Sequence, residues 1–294
     1  MTVALAVSDD KGKGNVSMKT RIISALVGIV VLIGVVFCPI TWVFSVAATL
    51  LAMIAVWELL HNTGLVSQKW LTLCGMLFAG AEVLSCTYAE WLYAAHPVCG
   101  WFPLILLIVY AWFILLLFID KRFGIEKGVP VKVLLFTLYG TLGFVALARL
   151  RLLQDGLAYV LLPLVIAWMS DTGAYFTGYF FGKHKMAPII SPKKTWEGFF
   201  GGWLVSIGCA ALFGVLYQLI TGVTLSVSPL WMAVLAIPLA PLSVCGDLLA
   251  SKIKRHYGIK DYGNIMPGHG GVMDRFDSVI VIAPLLWLLL LLFV

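Results

Sequence analysis

GDLLASKIKRHYGIKDYGNIMPGHGGVMDRFDS, residues 246–278, is the most polar stretch of the chain, and apolar runs near 229–250 and 278–294 flank it. It holds four of the 14 acidic residues (Asp247, Asp261, Asp274 and Asp277) and five of the 20 basic ones. With 231–250 as one helix, Ser251, Lys254 and Arg255 follow Asp247 at i+4, i+7 and i+8, so all four share one face. His256–Gly271 has five glycines, one proline and one asparagine, which is loop composition. The chain re-enters a helix near Asp274, with Asp277 and Ser278 on its next turn. The stretch therefore reads as a polar loop between two membrane helices. Separated carboxylates with cations between them suit a polyphosphate and its metal ion. The competing reading is a solvated loop that signals topology. Against it stands Asp247, near the end of an apolar run, where a carboxylate costs roughly 2.5–3.5 kcal/mol at mid-membrane depth.

Composition carries the membrane reading to the whole chain. Of 294 residues, 62% are hydrophobic and 12% charged, with a mean hydropathy of +1.02. Soluble domains carry about 25% charged residues. Packing so much apolar surface in water would leave large exposed patches, so a soluble globule is excluded. The six cysteines show no CxxC spacing, which indicates neither a zinc site nor a disulfide framework.

The expected fold is an all-α polytopic membrane protein of about nine transmembrane helices. They fall near 22–38, 41–60, 71–94, 101–119, 131–148, 157–182, 198–220, 229–250 and 278–294, the first and last being short. Residues 1–21 read as a polar tail, 22–156 as an N-terminal membrane region of about five helices, and 157–294 as a catalytic region of about four. Met18, followed by Lys19 and Arg21, reads as an alternative start. With nine spans, every basic residue except Arg149 and Arg151 falls on the side of the N-terminus. The positive-inside rule then gives a cytoplasmic N-terminus and a non-cytoplasmic C-terminus. The expected location is the cell inner (cytoplasmic) membrane, multi-pass. The net charge of +6 is this one-sided basic charge, suited to anionic lipid. Nucleic-acid binding is not expected, since no soluble basic face is visible.

A second polar loop, Ser170–Gly202, falls on the same side. Asp171 lies deep in an apolar run, where carboxylates are functional by default; the alternative is a hydrogen bond across a helix interface. Ser170, Ala174 and Gly178 make a small-xxx-small stripe that admits a close neighbour. Ser191-Pro192 reads as a helix start, serine as the N-cap and proline at N1, presenting Lys193, Lys194 and Thr195 to an anion.

The first stretch resembles the signature of the phosphatidate cytidylyltransferase (CDP-diacylglycerol synthase) family. The matching residues are Ser251, Lys254, Arg255, Lys260, Asp261, Gly263, Pro267, His269, Gly270, Gly271, Asp274, Arg275 and Asp277, with Met266 a conservative departure. The Ser-Asp and Pro-Lys-Lys-Thr segments of the second loop are similar to the same family. The resemblance implies transfer of CMP from CTP to phosphatidate in the bilayer, giving CDP-diacylglycerol and pyrophosphate for phospholipid synthesis. It also implies a divalent metal, read as Mg2+, with room for a second cation. Asp247, Asp274, Lys254, Arg255 and Arg275 are the expected catalytic groups. Ser191, Lys193, Lys194, Thr195, Ser251, Lys260, His269, Gly270 and Gly271 are the expected substrate contacts, His269 being open between phosphate contact and loop packing. Asp247 and Asp274 lead as metal ligands, with Asp171 and Asp277 behind them. Glu58, Glu82 and Glu90 are assigned no function. Oligomeric state stays open, a homodimer included. The rival from another class is a transporter using Asp171 and Asp247 as ion relays, weakened because neither half repeats the other. A non-enzymatic scaffold has no need of costly carboxylates. An enzyme acting on another lipid phosphate also remains open.

Overall fold

The computed structural model describes residues 18–119, 128–266, 268 and 270–292. The tail before Met18, the segment 120–127, Pro267 and His269 lie outside the described residues, so the expectations placed on them have no structural counterpart. The helices are α1 (Met18–Val36), α2 (Thr41–Trp57), α3 (Lys69–Thr87), α4 (Ala89–Ala95), α5 (Phe102–Ile119) and α6 (Val129–Leu152). They continue with α7 (Gly156–Phe181), α8 (Trp196–Thr221), α9 (Pro229–His256), α10 (Met273–Phe276) and α11 (Val279–Leu290). A π-helical turn, Glu58–Asn62, extends α2. Seven helices are long and apolar enough to cross a membrane: α2 with its π-turn, α3, and α5 to α9. Apolar segments at the two chain ends, Leu26–Val36 and Val279–Leu290, are shorter. This is an all-α polytopic membrane protein. The run 71–94, expected as one span, breaks at Tyr88 into α3 and the short α4. About 20 residues cross a bilayer, and α3 with its 19 uses nearly that length.

α7, α8 and α9 pack side by side, while α6 joins α2 and α3 on one side to α11 on the other. Small residues let the backbones approach, as helix packing in lipid favours. The stripe Ser170, Ala174 and Gly178 meets α8: a Cβ at Gly202 would strike the Ser170 carbonyl, and one at Gly198 the Ala174 carbonyl. Pro241, inside α9, removes the N–H that the Ile237 carbonyl would otherwise accept. Trp203 of α8 donates its Nε1–H to that carbonyl at 2.9 Å.

The connection between α7 and α8 corrects the expected helix start at Ser191. Ser191–Thr195 is a strand, β2, paired antiparallel with β1 (Lys185–Ala187). Proline fits an edge strand as well as a first helical turn, and here it stands in the strand. The helix begins at Trp196, and Thr195 is its cap, with Oγ1 accepting from Gly198 N–H at 3.1 Å. Lys193 and Lys194 thus lie on a hairpin strand, not at a helix N-terminus.

Polar contacts gather at two ends of the bundle. One end joins the π-turn, the hairpin, the end of α9 and the loop before α10. At the other, Arg151 donates to the Cys38 carbonyl, Arg149 to the Cys86 carbonyl, and Asp155 accepts from Ser226 N–H.

Candidate active site

α9 runs six residues past the apolar run expected at 229–250 and carries Asp247, Ser251 and Lys254 out of the bundle on one face. Ser251 Oγ donates to Asp247 Oδ1 at 3.4 Å. Lys194 Nζ reaches over from the hairpin to 2.6 Å from Asp247 Oδ2. That contact is an ion pair by distance without hydrogen-bond alignment, because the ammonium has no aligned acceptor among the described residues. The hairpin and the signature, far apart in sequence, therefore meet at Asp247.

Asp274, at the start of α10, does different work. Lys254 Nζ donates to its Oδ1 at 2.9 Å, and the N–H groups of Tyr262 and Gly271 donate to its Oδ2 at 2.8 and 3.0 Å. Both oxygens are thus engaged by the protein, and the side chain is only 6% exposed. Gly270 takes φ +88°, the left-handed region that favours glycine, and a Cβ there would press on the Asp274 carboxylate. Its carbonyl accepts from Met266 N–H at 3.0 Å. Tyr262 completes the loop: its hydroxyl donates to the Ala250 carbonyl at 2.9 Å, and Lys254 Nζ lies 5.3 Å from its ring centroid. Burial pushes the Tyr262 phenol above its usual range, so it stays a neutral donor.

Asp277 follows one turn later. Burial pushes its carboxyl up to about 7, the Asp247 charge adds to the rise, and Lys254 opposes it. Asp171 acts on the same carboxyl and, in turn, feels Lys194 and Asp247. Asp171 and Asp247 thus both act on Asp277, while Lys194 pairs with Asp247 and Lys254 with Asp274. A cavity of about 250 Å³ is lined by Asp171, Ser191, Lys193, Lys194 and Thr195 together with the apolar or aromatic Tyr175, Phe199 and Val244. A larger groove of about 680 Å³ at Ala81, Leu84, Tyr88 and Trp91 has no charged side chain in its wall.

The expected residues divide accordingly. Asp171, Ser191, Lys193, Lys194, Thr195, Asp247, Ser251, Lys254, Gly270, Gly271, Asp274 and Asp277 gather around the cavity and the loop. Lys193 is exposed, whereas Lys194 is half-buried. Arg255, Lys260 and Arg275 are exposed at the rim. Groups from the first half of the chain also join the site without having been expected. Tyr139 of α6 has a buried hydroxyl with no hydrogen-bond partner among the described residues, and the Asp277 and Asp247 carboxylates act on it. Glu58, in the π-turn, accepts from the Val272 and Met273 N–H groups at 3.0 and 2.8 Å. For Glu58 a signal existed: a carboxylate at the end of an apolar run is costly wherever it occurs.

Among the described residues no three His, Cys, Asp or Glu side chains are grouped as a metal cage. Mg2+ usually takes one or two carboxylates and completes its shell with waters and substrate phosphates. Asp247 and Asp277, which unlike Asp274 are not held by the backbone amides of the loop, are the carboxylates that could supply such a pair.

The model of the cytidylyltransferase family matches residues 19–293. The phosphatidate cytidylyltransferase of Staphylococcus epidermidis is 34% identical over 284 residues, covering 93% of this chain and 99% of that protein. The one from Staphylococcus aureus is 33% identical over 280 residues, with the same coverage. The Bacillus subtilis enzyme of that name is 43% identical over 140 residues, 48% of this chain and 50% of that protein. With a family match across nearly its whole length, and with the hairpin and signature brought together at one polar site, the chain belongs to the cytidylyltransferase family.

Proposed function

We propose that the protein transfers CMP from CTP to phosphatidate, yielding CDP-diacylglycerol and pyrophosphate. The observation that carries this reading is the meeting of hairpin and signature at the Lys194–Asp247 pair, 2.6 Å apart, in a chain whose long relatives are named for this activity. An oxygen of the phosphatidate phosphate forms a bond to the α-phosphorus of CTP. The bond from that phosphorus to the β-phosphate bridging oxygen breaks, and pyrophosphate leaves with the electron pair. The attacking oxygen is already ionised at neutral pH, so positioning and charge neutralisation dominate over general base catalysis.

Each part of the site has a share in that work. Lys194, Lys193 and the Ser191 hydroxyl line the cavity and hold phosphate oxygens; Lys254 stands one turn from Ser251 on α9. Arg255, Lys260 and Arg275 at the rim draw the polyphosphate in, and the arginines add bidentate contacts that lysine cannot make. Asp247 and Asp277, with Asp171 acting on the Asp277 carboxyl, would hold Mg2+, which when bound would supply electrostatic stabilisation of the charge on the transferring group. Asp274 is a positioning residue, because its oxygens already hold Lys254 and the loop amides. The unpartnered Tyr139 hydroxyl is a spare donor for the carboxylates or for a phosphate oxygen.

The polar end faces the cytoplasm, with the N-terminus inside and the C-terminus outside in the inner membrane. Basic loop residues support that orientation, since the arginines Arg149 and Arg151 lie at the opposite end. CTP then comes from water and phosphatidate from the bilayer to one place. The test is turnover in detergent micelles, where no gradient exists. Lipid labelling that needs CTP, phosphatidate and a divalent cation together is expected. No turnover with every component present would favour the transporter reading.

A further inference from the structure

Glu58 and Asn62 belong to no motif that marks the site, yet both hold it. They stand four residues apart, so they point from one side of the π-turn. Glu58 Oε1 accepts from Val272 N–H at 3.0 Å and Oε2 from Met273 N–H at 2.8 Å. Asn62 Nδ2 donates to the Tyr262 carbonyl at 2.6 Å. The Glu58 side chain is fully buried. A buried carboxylate costs several kcal/mol unless hydrogen bonds satisfy it, and an apolar residue would fill the same space without that cost. What a carboxylate alone offers is two acceptors and no donor, which matches two adjacent backbone N–H groups.

The loop is shaped to receive it. A Cβ on Gly263 or Gly271 would run into the Glu58 carboxylate, and for Gly271 its three nearest obstacles are all Glu58 atoms. Gly271 has no positive φ, so the need there is for space. The anchored amides immediately precede Asp274 in the chain, and the anchored Tyr262 carbonyl belongs to the residue whose N–H binds Asp274 Oδ2 at 2.8 Å. Glu58 and Asn62 thus fix both sides of the loop that Asp274 ties together, and from which Asp277 projects one turn on.

We infer that Glu58, assisted by Asn62, is a positioning residue for nucleotidyl transfer: it sets the backbone of the signature loop so that Asp274 and Asp277 are held in working geometry. The inference rests on the cytidylyltransfer reading of the site. It also makes the first half of the chain a part of the catalytic apparatus, not only its membrane anchor.

The experiment uses the full-length protein in detergent, with kcat, KM for CTP, thermal unfolding, and the rise in Tm caused by added magnesium. Glu58→Gln keeps the shape but turns an NH2 toward a backbone N–H. It should lower kcat at least tenfold and shrink the magnesium-induced rise in Tm, while the metal-free Tm moves by only a few degrees. Gly271→Ala should cost at least tenfold in the wild-type background and less than threefold when added to Glu58→Ala, because the obstacle is gone. If Glu58→Gln does not purify, Asn62→Ala and the Gly271→Ala series in milder detergent decide the matter, with the same expected loss of kcat and magnesium response. A lowered Tm with kcat and magnesium response unchanged makes Glu58 merely structural and overturns the inference. So does an equal Gly271→Ala loss in both backgrounds. Failure of the wild type to label lipid is a different result, which strikes the reading of the reaction and not the role of Glu58.

Discussion

Asp247, Asp274 and Asp277 are three carboxylates with three different surroundings. Asp247 shares its oxygens between Ser251 and Lys194, two groups that can turn toward a substrate. Asp274 gives both oxygens to Lys254 and two backbone amides. Asp277 accepts from the N–H and the hydroxyl of its neighbour Ser278 at 2.8 and 3.5 Å and feels the Asp247 charge, partly offset by Lys254. Two like charges in a dry place favour a cation between them, whereas a saturated carboxylate does not. Asp247→Asn and Asp277→Asn should each abolish turnover and remove the magnesium-induced rise in Tm. Asp274→Asn should lower turnover by more than about tenfold, ~1.4 kcal/mol, yet keep most of the magnesium response. Turnover and thermal unfolding of the three purified variants check this. A magnesium response lost only in Asp274→Asn would restore Asp274 as the leading ligand and displace Asp277.

Among the elements, the hairpin and the end of α9 show what periodicity can and cannot reveal. The face shared by Asp247, Ser251 and Lys254 follows from helical spacing alone, and the structure has the Ser251–Asp247 contact it implies. The stripe Ser170, Ala174, Gly178 was legible for the same reason. β2 was not: a Ser-Pro pair starts an edge strand as readily as a helix, and only pairing with Lys185–Ala187 decides between them. Glu58 was illegible in its role because its partners are backbone N–H groups 214 and 215 residues away, which leave no side-chain pattern. The strand also separates two lysines that look equivalent in sequence. Lys194→Ala removes the partner of Asp247 and should cost at least tenfold in kcat. Lys193→Ala removes an exposed charge and should mainly raise KM for CTP, by a few fold, with less effect at high salt. Steady-state kinetics at two ionic strengths test the pair; equal losses in kcat would remove the distinction.

At the scale of the whole molecule, a polar end on an apolar bundle suits a site at which a water-soluble nucleotide meets a membrane lipid. The composition and the nine apolar runs made the membrane class plain, and seven helices meet the length and apolarity needed to cross. Of the two end helices, α1 has 19 residues, of which Leu26–Val36 is a continuous apolar run, and α11 has 12, so α11 is short for a crossing. Orientation then rests on charge. A cytoplasm-active reporter inserted within 120–127 should be bright and one fused after Val294 dark; the reverse pattern would place the site on the wrong side of the membrane for CTP. The reaction itself is tested most directly by following two labels of CTP in detergent with phosphatidate and magnesium. Label at the α-phosphate should appear in the lipid product and label at the γ-phosphate in water-soluble pyrophosphate. Lipid carrying the γ-label, or no labelled lipid at all, would contradict CMP transfer.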